Sequence, residues 1–300
     1  MVKARFASAA AALLLTFSVA ACAGGGTAAS PSGSAAAPGG VNTSAPLYAS
    51  LPQDIKDAGV IKLGSDIAYA PMEYYDTDGK TVLGLDKELT DLVAKQLGVP
   101  FEWNNATFDG LITQLDSGRF DVIMSGMTDT PERQQKIDFV DYYRAGVVML
   151  VKAGNPEGIK TVDDLCGKTI SVQRGTTQHG LATQQQKKCD AQGKKTTVLA
   201  FDHEPESMLQ VQQGRAAAGM QDYPVATYNV QQSKGKYEVV GDQMLANPLG
   251  IGVSKKDTAL RDAIQKGIRA TMDDGSYRAL IDKYQTPLGA IETATVNGGK

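Results

Sequence analysis

From residue 47 onward, short apolar runs alternate with segments whose apolar positions recur every three or four residues, the pattern of strands alternating with helices. Val60–Ser65 reads as a first strand. Asp86–Leu97 places Leu89, Leu92, Val93 and Leu97 on one helical face, stops at Gly98, and leaves Asp91 and Lys95 as an i,i+4 pair on the solvent side. Pro100–Asn104 is a second strand, Phe108–Ser117 a helix carrying Leu111, Ile112 and Leu115, and Phe120–Met124 a third strand. Thr130-Pro131 has the form of an N-cap followed by proline at the first helical position. After Gly154-Asn155-Pro156 the cycle restarts: strands at Lys168–Gln173, Thr197–Phe201 and Ala216–Met220, and helices at Glu204–Gln213, Asp257–Asp274 and Ser276–Tyr284. Such alternation predicts an α/β protein with mostly parallel sheets, whose ligands bind beyond the carboxyl ends of the strands.

The start of the chain follows a different pattern. Met1–Arg5 is cationic, and the fifteen residues Phe6–Ala20 carry no charge, fewer than the roughly 20 a bilayer span needs. A cationic start, a short apolar run and small residues at its exit describe a secretory signal peptide over residues 1–21. The exit, Val19-Ala20-Ala21-Cys22, resembles a bacterial lipobox, which implies cleavage before Cys22 and a lipid such as palmitate on the new N-terminal residue. Of the 24 residues Ala23–Pro46, 20 are Ala, Gly, Ser or Pro and none is charged, so residues 22–46 are expected to form a lipidated cysteine and flexible tether. The folded body then sits outside the cell membrane, touching it through the lipid alone.

Composition narrows the function. Loss of Lys3 and Arg5 with the leader leaves 28 basic against 33 acidic side chains, and nucleic-acid binding is not expected without a basic face. Cys166 and Cys189 are an even pair in an exported chain and read as a disulfide. With His179 and His203 the only histidines, no zinc-ligand spacing is present, and neither metal nor cofactor is expected.

Four strand ends carry the remaining information: Gly64-Ser65-Asp66-Ile67-Ala68-Tyr69, Asp121-Val122-Ile123-Met124-Ser125-Gly126-Met127-Thr128, Val172-Gln173 leading into Gly175-Thr176-Thr177-Gln178, and the small-residue strand ending at Gln221-Asp222. Together with Phe108-Asp109-Gly110-Leu111, Gly118-Arg119-Phe120-Asp121-Val122, Thr130-Pro131-Glu132-Arg133, Ile137-Asp138-Phe139, Asp164-Leu165-Cys166-Gly167-Lys168 and Asp274-Gly275-Ser276-Tyr277, they stand in the order found in the family 3 extracellular solute-binding proteins. The resemblance covers nearly all of residues 55–290.

The resemblance implies a two-lobed, periplasmic-binding-protein-like clamp of type II with a ligand cleft between the lobes. Lobe 1 would combine 55–146 with 250–300 and lobe 2 would span 150–246, with hinges near Ala145-Gly146-Val147 and Pro248-Leu249-Gly250. It implies a monomeric receptor that captures a free amino acid (polar, basic or neutral, with no second Arg placed to favour glutamate or aspartate) and delivers it to a membrane permease driven by an ATPase. A free amino acid needs one fixed cation and one fixed anion. By the family match Arg133 and Thr128 hold the carboxylate, Thr177 adds a donor from the opposite lobe, and Asp222 accepts the ammonium. Tyr69 and Phe108 form apolar walls, and Ser125 and Gly126 offer hydroxyl or backbone contacts. Asp66 matches a position that faces the cationic group in receptors for basic amino acids, and Met72 stands where an aromatic is common, which is expected to widen the pocket.

Plainer readings stand beside these. Asp222 suits an N-cap for a helix at Tyr223-Pro224, Gly175-Thr176-Thr177 a turn and cap, and Tyr69 and Phe108 the core. His179 and His203 read as surface residues, and Met124, Met127 and Met149 as core fill. At the level of function, the fold also serves secreted cyclohexadienyl dehydratases, for which Glu73 or Asp66 would be the acid, and ligand-sensing subunits of signalling systems. Nothing in the residues requires catalysis.

Overall fold

The computed structural model describes residues 40–300, so the leader, Cys22 and the tether as far as residue 39 lie outside it. The body opens with α1 (Gln53–Ala58) and β1 (Ile61–Ser65), then the small antiparallel sheet of β2 (Ala68–Tyr69), β3 (Glu73–Tyr75) and β4 (Val82–Leu83), and α2 (Leu85–Leu97). β5 (Phe101–Asn105), α3 (Leu111–Asp116), β6 (Val122–Ile123) and the single-turn α4 (Pro131–Gln134) follow, and β7 (Ile137–Lys152) leaves this half. The second half contains β8 (Thr169–Gln173), α5 (Thr177–Ala191), β9 (Thr197–Phe201), α6 (Glu204–Gln212), β10 (Ala218–Asp222) and α7 (Tyr223–Gln232). β11 (Tyr237–Ser254) runs back to the first half, which α8 (Thr258–Asp273) and α9 (Ser276–Lys283) complete.

One sheet in the order β5-β1-β6-β11-β7-β10-β8-β9 runs through both halves. Pairing is parallel for β1 with β5 and β6 and for β8 with β9 and β10, but antiparallel for β7 with β11 and β10 and for β11 with β6. The expectation of mostly parallel pairing therefore holds among β5, β1 and β6 and among β9, β8 and β10, and fails wherever a long crossing strand takes part: β11 runs antiparallel to β6, β7 to β10, and β7 and β11, one leaving and one returning, to each other. The long strands slip register between Val240 and Met244, Met244 and Asn247, and Leu249 and Gly250, so their pairing is least regular midway between the halves.

Separate cores hold the two halves. In the first, Leu89, Val93 and Leu97 of α2 pack with Ile264 and Ile268 of α8, all fully buried. Each such side chain contributes about 1.5–3 kcal/mol by leaving water. In the second, Leu165, Ile170, Val172, Ala182 and Met220 form a smaller cluster. Cys166 and Cys189 are joined there, with Cα atoms 5.1 Å apart, tying α5 to the turn before β8.

Several sequence expectations need correction. Residues 42–46, assigned to the tether, lie on the body: the Asn42 N–H donates to the Gly98 carbonyl at 2.7 Å, the Leu47 N–H to that of Gln96 at 2.8 Å, and Ala45 is buried. They supply donors that the end of α2 lacks. Asp91 pairs with Lys87 rather than Lys95, since helical side chains lean toward the N-terminus. The third strand shrinks to β6 where the Asp121 carboxylate takes the Lys62 N–H at 2.7 Å. β10 begins at Ala218, because the N–H groups of Arg215 and Ala216 still bond the Gln210 carbonyl. Phe108–Gly110 is a 3₁₀ turn before α3 rather than part of one helix. α5 was not foreseen: its buried stripe, Gln178, Ala182, Gln185 and Cys189, has helical spacing but little apolar character. Met72 is fully buried in the first core and does not line the cleft, so it does not widen it.

Candidate functional site

The carboxyl ends of β1 and β6 place Asp66 and Ser125-Gly126 side by side in the first half. Here the Asp66 N–H donates to Ser125 Oγ at 3.0 Å, and Ser125 Oγ donates to Glu73 Oε1 at 3.0 Å. The Ser125 hydroxyl is thus committed to the protein, and the contact open to a ligand is its backbone, which narrows the sequence expectation. Gly126 has φ +52°, and a Cβ there would lie 3.0 Å from the Tyr69 ring, so the floor tolerates glycine best. Behind it Glu73 and Asp86 are both fully buried, and burial pushes both carboxyls up, Asp86 to about 6.

Thr130 caps α4 by accepting the Arg133 N–H at 3.3 Å, with Pro131 at the first position, as the sequence predicted. That turn aims Arg133 at the cleft. Its guanidinium donates to the Thr128 carbonyl at 2.8 Å and, across the cleft, to the Gly175 carbonyl at 3.0 Å, and lies 5.4 Å above the Phe108 ring. Burial lowers its pKa to about 10 against the pull of Asp222, so it stays cationic at neutral pH.

The second half brings the opposing groups. Thr176 caps α5 by accepting the His179 N–H at 3.1 Å, which sets Thr177 Oγ1 3.4 Å from Thr128 Oγ1. Asp222 precedes α7 but makes no side-chain cap bond, so the plainer reading of it fails. Its carboxylate accepts from Tyr69 Oη at 2.8 Å and Gln178 Nε2 at 2.9 Å instead. Burial raises its pKa to about 6, opposed by the Tyr69 bond and by the charge of Arg133. Asp66, nearly inaccessible, accepts from Gln173 Nε2 and meets His203 Nδ1 at 2.8 Å. Burial pushes its pKa up, and His203 is the main offset.

All nine residues selected from the sequence, Asp66, Tyr69, Phe108, Ser125, Gly126, Thr128, Arg133, Thr177 and Asp222, line one cavity between the halves. Gln173, Thr176 and Gln178 complete its wall. The walls close to a volume of about 10 Å³, on the order of one water. Sequence reasoning placed these three at a strand end and in the segment that follows it without giving them a role in the site, and it placed His203 on the surface. His203 is half-exposed, yet it reaches Asp66 from the other half, a contact between residues 137 positions apart that no local pattern announces. Met124, Met127 and Met149 are buried in the core as expected.

A second cavity, about 470 Å³, adjoins this wall. It is lined from the first half by Ile67, Ala68 and Tyr74 and from the second by Glu204, Met208 and Tyr237. Glu204 is 7% exposed, accepts from Asn229 Nδ2 at 3.3 Å, and is pushed up to about 8 by burial and by the charge of Asp66. Among the described residues Asp66 pairs with His203 alone, and Glu204 has no cationic partner.

The family model for bacterial extracellular solute-binding proteins, family 3, matches residues 61–287. The arginine-binding protein ArgT of Corynebacterium glutamicum is 28% identical over 253 residues, covering 84% of this chain and 82% of that protein. The L-cystine-binding protein TcyJ of Escherichia coli is 31% identical over 231 residues, covering 77% and 84%. Among solved structures, the ancestral amino acid-binding protein AncCDT-1, a precursor of cyclohexadienyl dehydratase, superposes with a TM-score of 0.70 at 35% identity, covering 77% of this chain and 97% of that one. The fold is that of the two-lobed, type II periplasmic binding proteins.

Proposed function

The chain belongs to the bacterial extracellular solute-binding proteins, family 3, and from that premise we propose that it is the receptor of an amino-acid ABC importer, binding one free amino acid by lobe closure and handing it to a membrane permease with its ATPase. The observation that carries this reading is the juxtaposition of Arg133 and Asp222 on one cavity, one from each half. An α-amino acid presents a carboxylate and an ammonium on one carbon, and a cation and an anion on facing walls grip both and hold the halves together. Thr128 and Thr177 add donors beside Arg133, Tyr69 and Phe108 enclose the aliphatic stem, and Ser125 and Gly126 offer backbone. The lobes are residues 55–146 with 250–300, and 150–246, turning on the irregular middle of β7 and β11. Lipidated at Cys22, the receptor works as a monomer at the outer face of the membrane.

Charge points to the side-chain class. Arg133 and Asp222 balance the ligand's own zwitterion, which leaves Asp66 and Glu204 without a lysine or arginine partner. A buried carboxylate without a cation is costly, so a ligand that brings one is favoured. We take the ligand to be an amino acid with a cationic side chain, its far end beside Asp66 and Glu204. The names of relatives such as ArgT agree with this.

An enzyme of the dehydratase type needs an acid free to reach its substrate. Glu73 is fully buried behind Ser125, and Asp66 is held by Gln173 and His203, so neither is poised for that role. The test is a thermal-shift screen of the purified chain against the twenty amino acids, ornithine, citrulline and prephenate. At one hundred times its Kd a ligand adds about 2.7 kcal/mol. Lysine, arginine or ornithine should raise the melting temperature. Silence from every amino acid overturns the receptor reading, and a shift with prephenate alone favours the enzyme.

A further inference from the structure

The segment after α9 lies beyond the family match, which stops at residue 287, and yet it reaches Asp129, the residue next to Thr128 in the cleft wall. Residues 294–299 run beside the start of β7. Val296 bridges Val140, the Asn297 N–H donates to the Phe139 carbonyl at 3.1 Å, and Asn297 Oδ1 accepts the Phe139 N–H at 2.8 Å. Ala294, fully buried, accepts at its carbonyl from Arg269 at 2.9 Å and Gln265 at 3.0 Å, so the segment is anchored to α8 before it reaches the sheet.

Beyond that anchor its backbone serves two buried carboxylates. The Gly298 N–H donates to Asp141 Oδ2 at 3.0 Å, and the Gly299 N–H to Asp129 Oδ2 at 2.8 Å. Asp129 is fully buried, and its other oxygen accepts from Gln134 Nε2 at 2.8 Å, which also donates to the Gly299 carbonyl at 3.1 Å. The approach is so close that a Cβ on Gly299 would collide with the Asp129 carbonyl. Asp129 lies between Thr128 and Thr130, the residue that holds the Arg133 guanidinium and the residue that caps its turn. The same loop is stitched to the crossing strand: the Asp129 N–H donates to the Pro248 carbonyl at 2.8 Å, and the Gly250 N–H to that of Met127 at 3.0 Å.

We infer that residues 294–299 form a strap that positions the 127–133 loop, setting the direction in which Arg133 presents its donors and linking that loop to the middle of β11. The reason is physical. Asp129 and Asp141 bring two carboxyl groups into one buried site, and without backbone donors from the strap the loop would have to turn a carboxyl toward water. Turning Asp129 moves its neighbours Thr128 and Thr130, and with them Arg133. Asp129, Gln134 and Gly299 are positioning residues. This rests on the receptor reading insofar as Arg133 grips the ligand.

The test compares the full chain with Gly299→Val and Gln134→Ala, using Ile264→Val, a core change on α8 away from the loop, as control. In the ligand-free proteins, hydrogen exchange at residues 127–133 and at Gly250 should accelerate in both strap variants and stay at parent level in the control. With whichever amino acid the screen identifies, Gly299→Val should raise Kd at least about tenfold, the scale of one charge-assisted bond. Gln134→Ala should raise it less, and the control should lower the melting temperature with Kd unchanged. Faster exchange confined to residues 290–300, or an unchanged Kd in both strap variants, overturns the strap. If Gly299→Val does not fold, Gln134→Ala decides alone. If the parent binds no amino acid, the receptor reading fails while the exchange data still decide the strap.

Discussion

At the Arg133 side of the cleft a fixed cation and a fixed anion, Asp222, line one cavity and feel each other's charge, Arg133 held by the carbonyls of Thr128 and Gly175 and Asp222 by Tyr69 and Gln178. At the Asp66 side two buried acids, Asp66 and Glu204, have a histidine and an asparagine for company. The first arrangement fits what all amino acids share, and the second fits what distinguishes one from another. The difference lies in how each side is assembled. Thr128, Thr130 and Arg133 sit on one loop and one helical turn, so their relation is local. Asp66, Gln173, His203 and Glu204 come from three separate strand ends and meet only when the halves do.

The largest effect should come from breaking the shared side. Arg133→Ala is expected to cost about 2–5 kcal/mol of ligand affinity, the range for truncating one member of a buried charged pair. Calorimetric titration measures this, and a loss under about 0.5 kcal/mol would remove Arg133 from the site. Replacing both Cys166 and Cys189 by serine should cost about 3 kcal/mol of stability from the loop they close. Because the bond lies behind α5 and not in the cleft, Kd measured well below the melting temperature should stay at the parent value. If it rises as much as stability falls, α5 depends on the disulfide to present Thr177 and Gln178.

Asp222→Asn should weaken amino acids by roughly 1.5–3 kcal/mol while sparing their desamino analogues. Equal weakening of both would exclude an ammonium role. The same carboxyl gives a pH signature. Its pKa is raised to about 6, so it is ionised above that pH and neutral below it. Accepting an ammonium needs the ionised form. For a neutral amino acid, which does not engage Glu204, affinity should therefore be flat just above pH 6 and fall about tenfold per unit below it, a step that Asp222→Asn abolishes.

The smallest expected effect sharpens the other side. Glu204→Gln keeps the shape and the Asn229 contact but removes a carboxyl that burial keeps largely protonated at neutral pH and that a ligand's cation would help to ionise. It should weaken lysine, arginine or ornithine by about 1 kcal/mol, the scale of one partly screened ionic contact, and leave neutral amino acids unchanged. Uniform weakening across ligands would make Glu204 structural.

Much of this is legible in the sequence. Thr130-Pro131 declared an N-cap, α2 and α8 carry apolar positions at helical spacing, and the nine residues implied by the family resemblance line one cavity. These features are local or follow chain order, and local chemistry fixes them: a hydroxyl caps the turn it begins, and a parallel strand presents its carboxyl end to the cleft. α5 was hidden because glutamines occupy its buried stripe and bond polar partners there, so its period is real but not hydrophobic.

The sequence by itself determined the class of the fold and most of the elements that carry the cleft, and its family resemblance pointed to the charged residues, Arg133 and Asp222, that line it. Only the tertiary structure decided how those residues are used. It bonds the Ser125 hydroxyl to Glu73, turns Asp222 away from capping, brings His203 onto Asp66, and lays Gly299 against Asp129. Each of these is a hydrogen bond between residues 52 or more positions apart, or the loss of a local bond to such a partner. A buried polar atom takes whichever partner folding brings near, and sequence spacing does not encode which one that will be.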